Sequence, residues 1–471
     1  MKKVLTVIPE QVRDFTTKKG EKIMKLLLLR PYYGVNVHGD MHGDLGIADY
    51  SPEIFPDLSL VCAASVANNN QLLELNVMDA NAEKLYPVQV IEKIRKGTHV
   101  ILLKAAAPTI QYDIDFAIQL KKHFPEARLI LGGHIAKILK TWIQTNVPEI
   151  EEVVEIPLEN YVTELVNGKG SWKGIDYLPN PDYTLLPYKK YRSADGELRG
   201  CLYMSRGCPS GCAYCPYSSF YQQGIEFRSP EKVINDIKAL LKLGIKVIHF
   251  RDQYFTLNKK AVTDLCRMIR QQKLDFKWRC ETRAESLNIE LINRMVEAGM
   301  EMISFGIESA SEKTLKNYRR PVNNLDKVKE YTHYLNQKNV KTLAFYIIGF
   351  PGDTWEKIQA TYKLALEIKS TYAKFSIFSQ CILGVQGKEL TPGDFSPFEN
   401  TMVQNPSKYL SQNELHYLVN HLMLSYHSEM NGMKNAYKFH YMNQMRFEEF
   451  LKNVKKYMQN RSVMEIEEKI S

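Results

Sequence analysis

Three of the eight cysteines in this 471-residue chain lie close together. They are Cys208, Cys212 and Cys215, spaced C-x-x-x-C-x-x-C among glycines and prolines that let a loop fold tightly. Thiolates bind iron-sulfur clusters, and a 4Fe-4S cluster needs one ligand for each iron. Because the nearest other cysteines, Cys201 and Cys266, do not extend the motif, three thiolates leave one iron open. An open iron can chelate a substrate or a cofactor.

A zinc knuckle is the main alternative for the same cysteines. A structural zinc ion is closed by four ligands, and no C-x-x-C or C-x-x-H partner follows downstream. The pattern therefore favours an iron-sulfur cluster.

The spacing, with Tyr214 directly before the third cysteine, resembles the cluster-binding loop of the radical S-adenosylmethionine (SAM) superfamily. The resemblance implies that the open iron holds the amino and carboxylate groups of SAM. An electron from the cluster would then cleave SAM to a 5′-deoxyadenosyl radical. Over roughly residues 25–390 the chain resembles the cobalamin-dependent enzymes of this superfamily.

Four stretches at the ends of predicted strands resemble the SAM-binding positions of these enzymes. Residues 250–256 resemble a Phe-x-Asp-Asp-x-Phe sequence, from which Gln253 departs; residues 278–283 resemble Trp-x-Cys-x-x-Arg. Residues 305–309 match Phe-Gly-x-Glu-Ser, and residues 349–354 match Gly-x-Pro-Gly-x-Thr. With the aromatic residue of the cluster loop, the resemblance assigns SAM contacts to Tyr214, Asp252, Arg283, Glu308 and Gly349.

Structural roles stay open for several of these residues. Asp252 can instead cap the helix that begins near Asn258, and Arg283 can instead pair with Glu281 or Glu308. Thr354 is expected to cap the next helix.

A second group resembles cobalamin-binding positions. Gly132-Gly133-His134 is similar to a Gly-Gly-x-His sequence whose glycines admit the corrin, and Pro108 and Thr109 lie in the neighbouring loop. His42, in a weak match to a cobalt-ligating motif, is interpreted as a surface histidine. The family's Gly-Glu-x-Glu is reduced to residues 157–160, so a sheet that has lost cobalamin is an alternative. The turn at residues 379–387 also departs from the family and leaves the substrate open.

The elements that must position these residues alternate between short apolar runs and amphipathic helices, which predicts an α/β protein with parallel sheets. After a lead-in at residues 1–24, residues 25–165 are predicted to form a doubly wound, Rossmann-like sheet. A linker at 166–199 leads to a partial (β/α)6 TIM-like barrel at 200–390 and a C-terminal helical region at 391–471. Ligands bind at the carboxyl ends of strands in both kinds of sheet.

Six barrel strands are predicted, and the candidate site residues of the barrel lie at or after the ends of these strands. They span residues 201–205, 246–251, 276–282, 302–307, 341–348 and 373–378.

Composition excludes several classes of protein. No apolar run approaches the ~20 residues of a membrane span, and no signal peptide is evident, so a cytoplasmic location is expected. The formal charge of +9 is spread along the chain, so no nucleic-acid partner is expected. The scattered cysteines suit a reducing compartment.

The resemblance predicts a cobalamin-dependent radical SAM C-methyltransferase acting on a specialised metabolite or peptide, with a 4Fe-4S cluster, SAM and cobalamin as cofactors. A low-potential electron donor such as flavodoxin or ferredoxin is implied. The main alternative is a non-methylating rearrangement, cyclisation or oxidation in which cobalamin is unused or absent. Methylthiolation of tRNA would need a second cluster, and Cys62 stands alone in the first domain. A non-enzymatic redox module would leave the acidic residues at the strand ends unexplained.

Overall fold

The computed structural model describes residues 23–41, 44–49, 53–193, 195–221, 224–379, 389–399, 402 and 407–431. Residues 1–22 of the lead-in, His42, most of the turn at 379–387 and residues 432–471 lie outside these ranges, and so do the predictions made for them.

The N-terminal part alternates strands and helices as predicted, and its elements follow in chain order. The strands are β1 (Met24–Arg30), β2 (Asn36–His38), β3 (Ile47–Asp49), β4 (Leu73–Asp79), β5 (Val100–Lys104), β6 (Arg128–Gly132) and β7 (Glu152–Val153). The helices are α1 (Leu58–Asn68), α2 (Ala80–Glu83), α3 (Pro87–Lys93), α4 (Ile110–His123), α5 (His134–Ile138), α6 (Lys140–Asn146) and α7 (Leu158–Asn167).

Five of these strands form one parallel sheet in the order β4-β1-β5-β6-β7, while β2 and β3 pair as an antiparallel hairpin. Alternate leucines of β1 enter different cores: Leu26 and Leu28 pack on one face, and Leu27 and Leu29 on the other. A strand buried on both faces reads as a continuous apolar run, which is why the sequence predicted it.

The C-terminal part holds the predicted six-stranded sheet. Its strands and the small ribbon beside it are β8 (Arg199–Leu202), β9 (Ser205–Arg206), β10 (Glu226–Phe227), β11 (Val247–Phe250), β12 (Lys277–Thr282), β13 (Met300–Glu308), β14 (Lys341–Ile348) and β15 (Tyr372–Ile377). Its helices are α8 (Pro216–Phe220), α9 (Pro230–Lys242), α10 (Lys259–Gln271), α11 (Ile289–Glu297), α12 (Glu312–Asn317), α13 (Leu325–Gln337), α14 (Trp355–Ile368) and α15 (Gln412–Asn431).

The six parallel strands follow one another in the order β8-β11-β12-β13-β14-β15, the arrangement of a partial barrel, and β9 pairs antiparallel with β10. The first barrel strand ends earlier than predicted. The N–H groups of Met204 and Ser205 bond the Asp252 carboxylate instead of a neighbouring strand, so the ladder stops at Leu202.

The linker joins the two sheets through buried tyrosines. Tyr183 Oη lies 2.7 Å from both the N and the O of Cys201 in β8, and Tyr191 Oη donates to Asp79 at the end of β4 at 2.8 Å. One hydrophobic core runs from the first sheet into the barrel.

Two segments after β15 close the structure. Residues 389–399 return to the first sheet, where Phe398 N–H donates to Pro108 O at 2.7 Å and the Phe398 ring stacks on Tyr112. Helix α15 covers β15 through Tyr426 Oη, which donates to Ser370 O at 2.6 Å. None of the described helices is long and apolar enough to cross a membrane.

Candidate active site

The cluster loop, residues 207–215, follows β9 and carries the three predicted ligands. Its cysteines form no disulfide; Cys212 is buried and the other two are half-buried. Gly207 adopts φ +96°, and a Cβ there would lie 2.5 Å from Gly224 O. Glycine is required by this close approach, so the sharp entry to the loop is encoded locally.

Burial is the main influence on the pKa of two of these thiols, Cys212 and Cys215. It raises the pKa of Cys215 to about 12, and it raises the pKa of Cys212, where the Arg320 guanidinium opposes it. Both thiols are protonated at neutral pH, and a bound metal would displace their protons. Among the described residues no three His, Cys, Asp or Glu side chains converge on a single ion. Three thiolates that each bind a different iron need not converge, so this donor set fits a cluster.

Asp252 anchors the start of the cluster loop. Its carboxylate is buried and accepts hydrogen bonds from Met204 N–H at 3.1 Å, from Ser205 N–H, and from Ser205 Oγ at 2.6 Å. Burial raises its pKa to about 7, although these bonds oppose the shift. Neighbouring Gln253, whose Oε1 accepts from Gly207 N–H at 2.7 Å, holds the next part of the loop. The helix near residue 258 is capped by Asn258 itself, not by Asp252.

Arg206, directly before the cluster loop, connects the two sheets. Its guanidinium bonds Glu159 Oε1, Asn160 Oδ1 at 2.9 Å and Glu226 Oε2 at 2.5 Å, and it stacks over the Trp172 ring at 5.2 Å. Glu159 and Asn160 belong to the reduced Gly-Glu-x-Glu motif at the start of α7. The remnant motif therefore ties the first sheet to the cluster loop, a role that the sequence analysis missed.

Glu308 ends β13 in a strained backbone. It adopts φ +71°, a region that non-glycine residues rarely occupy, and the pairing of β13 with β14 shifts register here. Its carboxylate lies over Gly306, where a Cβ would be 2.5 Å from Glu308 Oε1. Arg320 Nη2 lies 3.5 Å from that oxygen and donates to Gly306 O at 2.5 Å. Burial raises the Glu308 pKa, while Arg320 and Arg283 oppose the shift.

Arg283 follows β12 beside this carboxylate. Its Nε pairs with Glu285 at 3.2 Å and its Nη2 donates to Pro321 O at 3.3 Å. The structural alternative predicted from the sequence, an ion pair with Glu281 or Glu308, is therefore wrong, because the partner is Glu285. Arg283 Nη1 is buried and has no hydrogen-bond partner in the described part of the chain. A buried unpaired donor is costly, and an incoming carboxylate would satisfy it.

Tyr214 in the cluster loop lies near the turn that follows β14, which begins at Gly349. The Tyr214 ring packs edge-on against Phe350, Tyr318 and Phe378, with centroids 5.9–6.3 Å away. Gly349 adopts φ +88°, and a Cβ there would lie 2.7 Å from the Leu415 side chain of α15.

Asp353 and Thr354 order the turn that follows Gly349. Asp353 Oδ2 accepts from the N–H groups of Gly349 and Phe350 at 3.1 and 3.0 Å. Thr354 directly precedes α14 at the N-cap position, as predicted, but its side chain makes no capping hydrogen bond.

The residues predicted for cobalamin gather at the carboxyl ends of β5 and β6. Gly133 adopts φ +104°, and a Cβ there would lie 2.5 Å from Ala105 O, so the fold itself requires glycine. Next to it, the buried His134 ring stacks on Phe220 of α8 with centroids 4.5 Å apart. This pair joins the edge of the first sheet to the helix that directly follows the cluster loop.

The remaining cobalamin positions have partners within the protein. Thr109 Oγ1 donates to Asp113 at 2.9 Å, Pro108 O accepts from Phe398, and the Gly132 position lies close to the side chains of Leu102 and Leu158.

A buried ion cluster lies at the same edge of the sheet. Lys104 Nζ is 2.8 Å from both Asp44 and Asp57, and burial raises the Asp44 pKa to about 7. Residues 44–46 lie over the strand ends, because Ala107 N–H donates to Leu45 O at 2.6 Å.

Comparison with known proteins assigns the family. The profile described as the Radical SAM superfamily matches residues 202–365. An uncharacterized methyltransferase of Pyrococcus horikoshii is 32% identical over 355 residues, which cover 68% of this chain and 75% of that protein. The chain belongs to the radical SAM superfamily.

Two further similarities extend over most of this radical SAM protein. The structure of the radical SAM methyltransferase TsrM from Kitasatospora setae, with cobalamin and a 4Fe-4S cluster bound, superposes with a TM-score of 0.59 at 14% identity and covers 75% of each chain. This confirms the predicted pairing of a Rossmann-like sheet with a partial barrel. The anaerobic magnesium-protoporphyrin IX monomethyl ester cyclase of Cereibacter sphaeroides is 23% identical over 414 residues, 79% of this chain and 65% of that one.

The family assignment confirms that the chain is a radical SAM enzyme. Sequence motifs identified the cysteines, Arg283 and Glu308, and the structure puts the charges of Arg283 and Glu308 close enough to act on the Cys212 thiol. The sequence analysis missed Arg206 and Arg320, which carry no local motif and are recognisable only through their buried carboxylate partners.

Proposed function

We propose that this enzyme is a cobalamin-dependent C-methyltransferase that acts on an unactivated carbon of a small molecule or peptide. The observation that carries the proposal is the stacked pair His134–Phe220, which puts the carboxyl edge of the first sheet against the end of the cluster loop. Two cofactor sites facing each other are what methyl transfer to a substrate radical requires.

On this proposal the cluster loop and the barrel hold the first cofactor pair. Cys208, Cys212 and Cys215 bind the 4Fe-4S cluster. The free Nη1 of Arg283 binds the carboxylate of SAM, and Glu308 accepts from its ammonium or ribose hydroxyl groups. The charges of both side chains already act on the Cys212 thiol, which supports their closeness to the cluster.

The other predicted SAM residues shape this site. Asp252 holds the loop entrance through three hydrogen bonds, and Tyr214 packs against Phe350, the residue after Gly349. Bound together, cluster and SAM supply a radical that removes hydrogen from carbon, and methylcobalamin supplies the methyl group. The protein's residues orient the reactants and exclude water from them.

The first sheet offers acceptors for the corrin amides. Glu159 Oε2 is buried and has no hydrogen-bond partner among the described residues. Pro108, Thr109, Gly132, Gly133 and His134 lie at the same edge, where this buried, unpaired oxygen fits an amide-bearing cofactor.

The test uses protein reconstituted without oxygen. With SAM, a low-potential donor such as flavodoxin or ferredoxin, and hydroxocobalamin, we expect 5′-deoxyadenosine and protein-bound cobalamin. With a substrate, methylation consumes two SAM molecules for each product, one for the radical and one to regenerate methylcobalamin. Absence of 5′-deoxyadenosine refutes the radical chemistry, and absence of cobalamin binding refutes the methyl transfer.

A second function is favoured by the buried ion cluster. Lys104, Asp44 and Asp57 occupy the strand ends where the corrin would lie. If these three side chains keep this position in the active enzyme, they exclude the corrin, and the enzyme catalyses a rearrangement, cyclisation or oxidation without cobalamin. Consumption of one SAM molecule per product distinguishes this function from methylation.

A further inference from the structure

A surface patch beside the cluster loop has the character of a protein-docking site. Among the described residues, six large hydrophobic side chains are exposed, and two of them, Tyr177 at 71% and Phe227 at 39%, lie on contacting segments. Trp172 and Tyr177 line the same groove, which has a volume of about 380 Å³ and continues toward the carboxyl ends of α1 and α7.

The patch is flanked by positive charge. The Nζ atoms of Lys173 and Lys232 each lie 6.0 Å from the centre of the Tyr177 ring. The nearby Asp176 carboxylate is engaged by the N–H and hydroxyl groups of Ser229. Aromatic side chains surrounded by lysines suit a partner with an acidic rim and an apolar centre.

The patch is connected directly to the cluster loop. Phe227 pairs with Ser205 across the β9–β10 ribbon, and the Trp172 indole donates to Glu226 and packs on Arg206. Ser205 is three residues before Cys208, a span of at most about 11 Å even in an extended chain. A partner on this surface is therefore close to the cluster without entering the barrel.

We infer that residues 172–177, Phe227 and Lys232 form the docking surface for an acidic, one-electron carrier protein. The docked carrier is oxidised by one electron, and the cluster is reduced by one electron. This inference rests on the proposed radical function, since it needs a cluster on the loop.

The test compares two charge changes in the reconstituted protein. Lys173→Glu combined with Tyr177→Ser alters the patch at exposed positions. The matched control, Lys313→Glu, makes the same change of charge at an exposed lysine of α12, near Tyr318, whose carbonyl oxygen accepts a hydrogen bond from Ala213 of the loop. The probes are flavodoxin and a plant-type ferredoxin, with the dissociation constant measured by calorimetry at low and high salt.

We expect the patch variant to weaken binding of the carrier at least tenfold and to lose most of its salt dependence, while the α12 variant binds like the unmodified protein. Reduction of the cluster by flavodoxin slows equally, whereas reduction by dithionite is unchanged. Unchanged affinity in the patch variant, a loss confined to the α12 variant, or no binding of either carrier overturns the inference. Formation of 5′-deoxyadenosine with dithionite tests the radical function separately, because it needs no docking.

Discussion

The left-handed backbone of Glu308 makes a prediction whose sign can be worked from the structure. Glu308→Ala and Glu308→Gly both remove the carboxylate and its contact with Arg320, so their difference reports the backbone alone. A non-glycine residue at φ +71° stores about 1–3 kcal/mol of strain, and alanine is otherwise favoured over glycine by about 0.5–1 kcal/mol. At the middle of these two ranges the glycine variant should be the more stable by about 1 kcal/mol.

Glu301 in the same strand is the matched control. Its φ is not positive, and its carboxylate pairs with Arg279 at 2.5 Å. Here Glu301→Ala should be more stable than Glu301→Gly by about 0.5–1 kcal/mol, the reverse order.

The assay is the thermal midpoint of the four variants at one scan rate. The glycine variant at 308 should melt about 2–4 °C above the alanine variant, since 1 kcal/mol corresponds to about 2–4 °C in a domain of this size. Both should fail to form 5′-deoxyadenosine, while the Glu301 variants retain it. Equal midpoints at 308, or alanine above glycine, would refute the reasoning about strain.

Three further predictions test the elements around the site. Gly133→Ala should lower the free energy of unfolding by about 1–3 kcal/mol more than Gly168→Ala does. Both glycines have positive φ, but of the two only Gly133 would place a Cβ against a backbone oxygen. Equal thermal midpoints of the two variants would contradict this. Glu159→Gln should destabilise the protein by about 1.5–3 kcal/mol and reduce the iron retained on reconstitution, since it removes one buried carboxylate from Arg206 while Glu226 remains as its partner. Glu155→Gln, at an exposed pair, should cost less than about 1 kcal/mol. Full iron content in the Glu159 variant would contradict a role of this ion pair in holding the cluster loop. Burial raises the pKa of Asp113 to about 7, so between about pH 4 and 7 the folded state holds a proton that the unfolded state releases, and this carboxyl makes stability fall as pH rises; Asp113→Asn should flatten the thermal midpoint between pH 5 and 7, and an unchanged slope would refute the assignment.

The sequence predicted the fold well, because strands buried on both faces and amphipathic helices leave strong local patterns. The run that became β1 and the helix α9, which buries Val233, Ile237 and Leu240 along one side, are examples. It did not predict the hairpin β2–β3, whose strands are only three residues long and lie in a loop that covers the first sheet.

The sequence predicted those parts of the candidate site whose residues lie close together in the chain and form a recognisable motif. The cysteine spacing is such a case. The bond from Arg206 to Glu159 joins residues 47 positions apart, and no local pattern marks either partner. The strain at Glu308 is likewise invisible in residue type, since only the backbone angle φ of +71° reveals it.

Spectroscopy of the cluster is the most direct test of the central claim. Protein reconstituted without oxygen and reduced by dithionite should give the electron paramagnetic resonance of a reduced 4Fe-4S cluster, and addition of SAM should change that signal. Cys212→Ser should abolish the signal, whereas Cys266→Ser, at a buried cysteine in α10, should not. A spectrum without the cluster signal, or one that SAM leaves unaltered, would contradict the account.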